Sequence, residues 1–222
     1  MRSRHARWIA GWCLLALSLV ACNIEALAQV PAPRTATQSE IKAFFRNTGK
    51  VVLTFVGYSG AGYEDQAAML ASAERVLDEF DPARTLVNIG ATPDGIGAVY
   101  DLAKRKGFVT TGIVSVQAKK SNVPVSPNVD RVFYVEDATW GGYVPGTKRL
   151  SPTSKAMVEN SRIVVGIGGG EVARDELLEA KRLGKAVRFV PADMNHEKAQ
   201  DTARRKGMPQ PTDFRGAAHL AF

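Results

Sequence analysis

"VVGIGGGEVARDELLEA", residues 164–180, decides the fold. An apolar run comes first. Then four of the five residues from Gly166 to Gly170 are glycine, and a helical pattern follows, with Ala173, Leu177, Ala180 and Leu183 at i, i+4, i+7 and i+10. Strand, glycine turn and helix make up the repeating unit of an α/β sheet, and such turns often hold phosphate on bare backbone amides. This one runs straight into Glu171, Asp175 and Glu176. A site here would set amides and carboxylates side by side.

The same alternation extends outward. Strand patterns occupy "KVVLTFVGYS" (50–59), "TLVNIGA" (85–91), "FVTTGIVSVQA" (108–118), "DRVFYVED" (130–137), "RIVVGI" (162–167) and "AVRFVP" (186–191). Helical spacing marks 64–80, where Met69, Ala73, Val76, Leu77 and Phe80 share a face, and 95–107, closed by Gly107. Further helices are predicted over 152–160, 172–183 and 194–206. Six short apolar strands separated mainly by helices predict a Rossmann-like, doubly wound α/β domain, its mostly parallel sheet flanked by helices. The domain is placed at 39–207. A linker with Pro31 and Pro33 precedes it at 23–38, and a tail at 208–222 either wraps the domain or hangs loose.

Residues 1–22 carry an address. "MRSRHAR" is a basic opening, and the 14-residue apolar run "WIAGWCLLALSLVA" is short for a membrane span but suits an export signal. Leu19-Val20-Ala21-Cys22 matches a bacterial lipobox, so a lipid on Cys22 and a membrane-anchored periplasmic lipoprotein are expected. Cleavage before Gln29, giving a soluble periplasmic or secreted protein, is the alternative. Removing Arg2, Arg4 and Arg7 from 29 basic residues leaves 26 against 22 acidic, and no basic run argues for a nucleic-acid partner. Both cysteines, Cys13 and Cys22, fall in or at the signal. His196 and His219 are the only histidines beyond it. Disulfides, thiol chemistry and metal sites are therefore not expected, and no cofactor is implied.

Ligands of such sheets bind at the carboxyl ends of the strands. Three glycine-bearing turns should meet there: "GYSGAG" (57–62), "GATPDGIG" (90–97) and "GIGGG" (166–170). No GK[ST] follows any of them, and none is a GxGxxG opening the first βαβ unit, so neither a P-loop NTPase nor a dinucleotide oxidoreductase is supported. The candidate ligand contacts are Gly57, Ser59, Gly60, Gly95, Gly97, Gly168, Gly169 and Gly170. Glu176 sits at i+3 on the inward stripe of its helix, a costly place for a carboxylate unless something uses it or pairs with it. Glu171 and Asp175 read as solvated first-turn acids. In the loop 138–149, Trp140 and Tyr143 would cover a base, and Lys148 and Arg149 would neutralise a phosphate. Asp137 is a polar contact or a turn residue.

These residues carry a resemblance. From about 50 to 192 the chain resembles the LOG, or lysine-decarboxylase-like, family of the SLOG superfamily of Rossmann-like nucleotide-binding proteins. "VGYSGAG" is similar to its first-strand turn, and "TLVNIGATPDGIGAVYDLAKRKG" to its segment ending GxMGAVxxxAxxxG. "NSRIVVGIGGGEVARDELLEAKRLGKAV" is similar to its strand, PGGxGTxxE motif and helix. The motif's proline falls on Gly168, its two glycines on Gly169 and Gly170, its Gly-Thr on Val172 and Ala173, and its glutamate on Glu176. Family enzymes cleave the N-glycosidic bond of nucleoside 5′-monophosphates. The resemblance implies a glutamate serving the ribose end and an assisting arginine on the preceding helix. Here "SPTSKAMVENS" places Thr153 at that arginine, with Lys155 nearby.

The expected function is therefore an exported nucleotide or nucleoside-phosphate binding domain. One alternative is a phosphoribohydrolase-like N-glycosidase with Glu176 stabilising an oxocarbenium-like state; the other is a non-enzymatic lipoprotein scaffold. The changed Val172 and Ala173 and the missing arginine point from cleavage towards binding. The expected partners are a small phosphorylated, nucleotide-like ligand, the membrane through Cys22, and a second copy of the chain as a homodimer.

Overall fold

Each of the six apolar runs forms a strand. The computed structural model describes residues 35–222, so the export signal, Cys22, the cleavage alternative before Gln29 and nearly all of the linker lie outside the described residues. The strands are β1 (Val51–Gly57), β2 (Thr85–Ile89), β3 (Val109–Ser115), β4 (Arg131–Val135), β5 (Ile163–Ile167) and β6 (Ala186–Val190). They lie in the order β4-β3-β2-β1-β5-β6, and every neighbouring pair is parallel. The chain winds outward from β1 to β4, then returns to place β5 on the other side of β1. That reversal is where open α/β sheets form their binding crevice.

Helices cover both faces, which is why the strands are mostly apolar rather than alternating. α1 (Gln38–Thr48), α5 (Pro152–Asn160) and α6 (Glu171–Arg182) cover one face. There Ile41, Phe45 and Met157 pack on Val52, Leu86 and Ile113, and Ala173, Leu177 and Ala180 pack on Val56 and Val164. α2 (Gln66–Leu77) and α3 (Val99–Arg105) cover the other, with Met69, Leu77 and Tyr100 against Leu53, Phe55, Val87 and Val165. A 3-10 turn, Gly95–Ala98, leads into α3. A short α4 (Gln117–Lys120) follows β3, and α7 (His196–Lys206) and α8 (Gly216–His219) complete the chain.

Two expectations are corrected. A helix, α1, begins at the last residue assigned to the linker. Thr37 and Glu40 form a reciprocal capping box at its start, and Gly49 closes it at φ 63°. The inward stripe of α6 stops at Ala180, because the helix ends at Arg182 and Leu183 is 43% exposed. The expected parallel sheet is present, and all its neighbouring pairs are parallel.

The tail resolves in favour of wrapping. The Met194 N–H donates to Phe214 O (2.8 Å), the Tyr58 hydroxyl to Arg215 O (2.6 Å), and the Ala218 N–H to Gly169 O (3.0 Å). A polar row also crosses the core beneath α5. Thr54, Asn88 and Thr111 stand in register on β1, β2 and β3. Thr111 Oγ1 donates to Asn88 Oδ1 (3.0 Å), Asn88 Nδ2 reaches Met157 Sδ (2.8 Å), and the Thr54 and Ser161 hydroxyls share a bond (2.6 Å). Buried polar groups on this scale are tolerated because each finds a partner.

Candidate functional site

A cavity of about 290 Å³ opens at the carboxyl edge of β1, β2 and β3. Gly57 and Ser59 border it after β1, and Gly90, Ala91 and Thr92 after β2. Val123, Pro124 and Val125 close one side, Thr153 and Met157 come from α5, and Val172, Ala173 and Glu176 come from α6. Trp140, 54% exposed, stands at the rim. Ala91 holds a positive φ of 61°, a strained setting for a residue with a Cβ and one found preferentially at functional sites.

Glu176 is 5% exposed, and the helical spacing that placed it inward is borne out. Ser154 Oγ donates to its Oε1 at 2.6 Å. The same Ser154 oxygen accepts the Gly142 N–H at 2.7 Å. Burial pushes the Glu176 carboxyl from 4.5 up to about 7; the Ser154 hydroxyl pulls it down and the neighbouring Asp175 pushes it further up. The group therefore changes charge near neutral pH, which is uncommon for a carboxyl and is concentrated at functional sites.

Asp175 is not a solvated first-turn acid: it is 4% exposed. Its Oδ2 accepts the Tyr143 N–H (2.8 Å) and its Oδ1 accepts Arg174 Nε (2.9 Å) and Nη2 (2.8 Å). It ties the loop 138–151 to the flank of α6, and that loop is what buries it. Glu171 is exposed, as expected. Asp137 caps α5 from outside, accepting the Thr153 N–H (2.8 Å) and the Thr139 N–H (2.8 Å). Burial raises its carboxyl, but these donors, with the Ser151 and Thr153 hydroxyls near it, bring it below the usual range. Neither hydroxyl meets hydrogen-bond geometry with any partner among the described residues, and Thr153 borders the cavity.

The predicted contacts divide. Gly57, Ser59, Trp140 and Glu176 line the cavity; Gly60, Gly95, Gly97, Gly168, Gly169 and Gly170 do not. Gly168 and Gly169 have φ of 54° and 128°, and a Cβ on Gly168 would come within 2.5 Å of the Tyr58 ring. The Gly168 N–H is already given to Val190 O (2.8 Å), and Gly169 O accepts the Ala218 N–H of the tail. The turn serves close packing at Gly168 and Gly169, and the Gly168 amide is not available to the phosphate cradle expected over 168–170. Lys148, Arg149 and Tyr143 are also corrected. They line a separate depression with Lys155 and Arg182, because the loop doubles back on itself through the Tyr143–Leu150 bridge and the Val144–Arg149 bond (2.8 Å). Sequence reasoning missed Ser154, the Gly142 amide and the Thr153 hydroxyl as parts of the site. Ser154 lay within the stretch matched to the family's arginine helix; the Gly142 amide had no side chain to announce it.

No family model matches the chain, and no curated protein matches it. Solved structures similar to it include the X-ray structure of TM1055, at 22% identity over 62% of this chain and 72% of that one, with a TM-score of 0.45. The molybdenum cofactor carrier protein of Chlamydomonas reinhardtii is similar at 16% identity over 63% of this chain and 76% of that one (TM-score 0.46). The molybdenum cofactor binding protein from the phototrophic bacterium Rippkaea orientalis is similar at 16% identity over 71% and 85% (TM-score 0.46).

Proposed function

We propose that the chain binds a small nucleoside-type ligand in the cavity beside Glu176, and that it binds rather than cleaves. One observation carries this reading: a buried carboxyl, held by a hydroxyl, forms part of the wall of a largely apolar cavity at the carboxyl edge of the sheet. At about 290 Å³ the space lies at the small end of ligand pockets, which run from about 300 Å³ upward. Ile113, Val125, Met157 and Trp140 suit a flat ring, and Glu176 suits hydroxyl or N–H donors. A phosphate on the ligand is accommodated rather than required. The first turn of α6 has no side-chain cap and supplies an anion-favouring end, whereas Lys148 and Arg149 lie elsewhere. Thr153 at the family's arginine position, with no Lys or Arg among the residues lining the cavity, favours binding over N-glycosidic cleavage.

Calorimetry with adenosine and adenosine 5′-monophosphate tests this on the wild type and Glu176→Gln. Both compounds should bind, and the substitution should weaken binding of adenosine by about tenfold or more, or about 1.4 kcal/mol. Unchanged affinity in the mutant ends the role of Glu176. Absence of binding to both compounds, in a folded protein, leaves the scaffold reading standing. We also propose, from residues 1–22, that the chain is exported.

A further inference from the structure

Glu176 is the one ionisable side chain among the residues lining the cavity. Asp175 acts on it from its own helix, with Arg174 on that carboxylate. α5 meets it with Ser154, and β1 and its turn contribute Gly57 and Ser59 to the same cavity. The loop 138–151 reaches it through the Gly142 amide acting on Ser154. An amide N–H only donates, so the 2.7 Å contact from Gly142 occupies Ser154 Oγ as an acceptor. The Ser154 proton is then free for Glu176 Oε1, 2.6 Å away. Ser154 is fully buried and cannot trade this partner for water.

We propose that Ser154 is the positioning residue of this site: oriented by the Gly142 amide, it pins one oxygen of Glu176 and leaves the other as the cavity's single ionisable acceptor for ligand hydroxyl or N–H donors. The ligand half of this statement rests on the nucleoside-binding reading; the positioning half does not. Two consequences follow. Removing the Ser154 hydroxyl destabilises the ionised carboxylate, so Glu176 holds its proton to higher pH. Because only the ionised oxygen accepts two donors freely, ligand affinity falls as Glu176 takes up its proton, approaching about tenfold per pH unit below the midpoint.

The experiment is a carbon-13 NMR titration of the glutamate carboxyls in the full chain. The Glu176 signal is identified by its loss in Glu176→Gln. Adenosine affinity is measured by calorimetry across the same pH range. In Ser154→Ala the Glu176 midpoint should rise by about one pH unit, the scale of a hydrogen bond to a charged group. Ser154→Thr should restore it. Ser154→Cys, near in volume and a weaker donor, should shift it the same way should alanine not fold. The adenosine midpoint should move with the carboxyl midpoint, and Glu176→Gln should flatten the profile. An unmoved carboxyl midpoint in both Ser154→Ala and Ser154→Cys overturns the positioning role. A moved carboxyl midpoint with pH-independent adenosine affinity overturns recognition by Glu176. A moved midpoint with no adenosine binding by the wild type overturns the nucleoside reading while supporting the positioning role.

Discussion

Glu176 makes the stability of this fold depend on pH in the opposite direction to most carboxylates. Its folded-state value is about 7 against an ordinary 4.5, with burial as the main cause. The folded chain therefore holds the proton more tightly than the unfolded one. Below about pH 4.5 both states are protonated and the group exacts nothing. As pH rises from there the unfolded state releases its proton first, and stability falls. Above about pH 7 both states are ionised and the loss is complete. The gap of about 2.5 pH units, at about 1.36 kcal/mol each, amounts to about 3 kcal/mol, a large share of a typical total of about 5–15 kcal/mol. Glu176→Gln keeps the shape, can still accept from Ser154 and never ionises. Urea unfolding of both proteins between about pH 5 and about pH 8 reads the effect as a difference, which cancels every other titrating group. The wild type should lose about 2.5 kcal/mol relative to the mutant across that range, the remainder having been lost below about pH 5. Stability curves that run parallel would mean that the folded carboxyl titrates normally, and the buried, hydroxyl-held geometry would be refuted.

Two further outcomes are expected. Asp175→Ala should destabilise the fold by about 2 kcal/mol, since it strands the Tyr143 N–H and leaves Arg174 without its carboxylate. It should also speed proteolysis within 138–150, and thermal melting with limited proteolysis checks both. Cys22 should carry a lipid. Metabolic labelling with a fatty acid should mark the wild type, whereas a mature protein starting at Gln29 with no label would settle for the soluble form.

The sheet was legible because its chemistry is local and redundant. A parallel strand covered on both faces is buried on both, so its run is mostly apolar: "TLVNI" is buried at all five positions, with Asn88 held by buried partners. Glu176 was legible for a similar reason: helical spacing alone puts it beside Ala173, Leu177 and Ala180. Asp175 was not, because nothing on its own helix buries it. The loop that covers it starts more than thirty residues earlier, and its Tyr143 amide partner is a backbone group. Lys148 and Arg149 misled because charge was read without direction: the Tyr143–Leu150 bridge turns the loop tip away from the strand ends. α1 was hidden by Pro31 and Pro33 just upstream, although Thr37 and Glu40 already spell a capping box. The packing of the tail had no periodicity to betray it.

The glycines of residues 166–170 illustrate how one signal can have two causes. A run of glycine after a strand can expose amides to a phosphate, or it can let backbone pass where no Cβ fits. Here the second cause operates at Gly168 and Gly169, beneath the Tyr58 ring and the tail. The start of α6 then contributes to the cavity through Val172, Ala173 and Glu176 rather than through the turn itself. With that shift the electrostatics of the site change sign. A cavity whose single ionisable wall group is a carboxyl, with no Lys or Arg on its lining, repels a dianion brought close to it. Any phosphate that does bind nearby must hold the Glu176 proton in place, because the second negative charge raises the carboxyl further. Uncharged donors face no such conflict. They find an acceptor already oriented by Ser154, in surroundings apolar enough to make each hydrogen bond count.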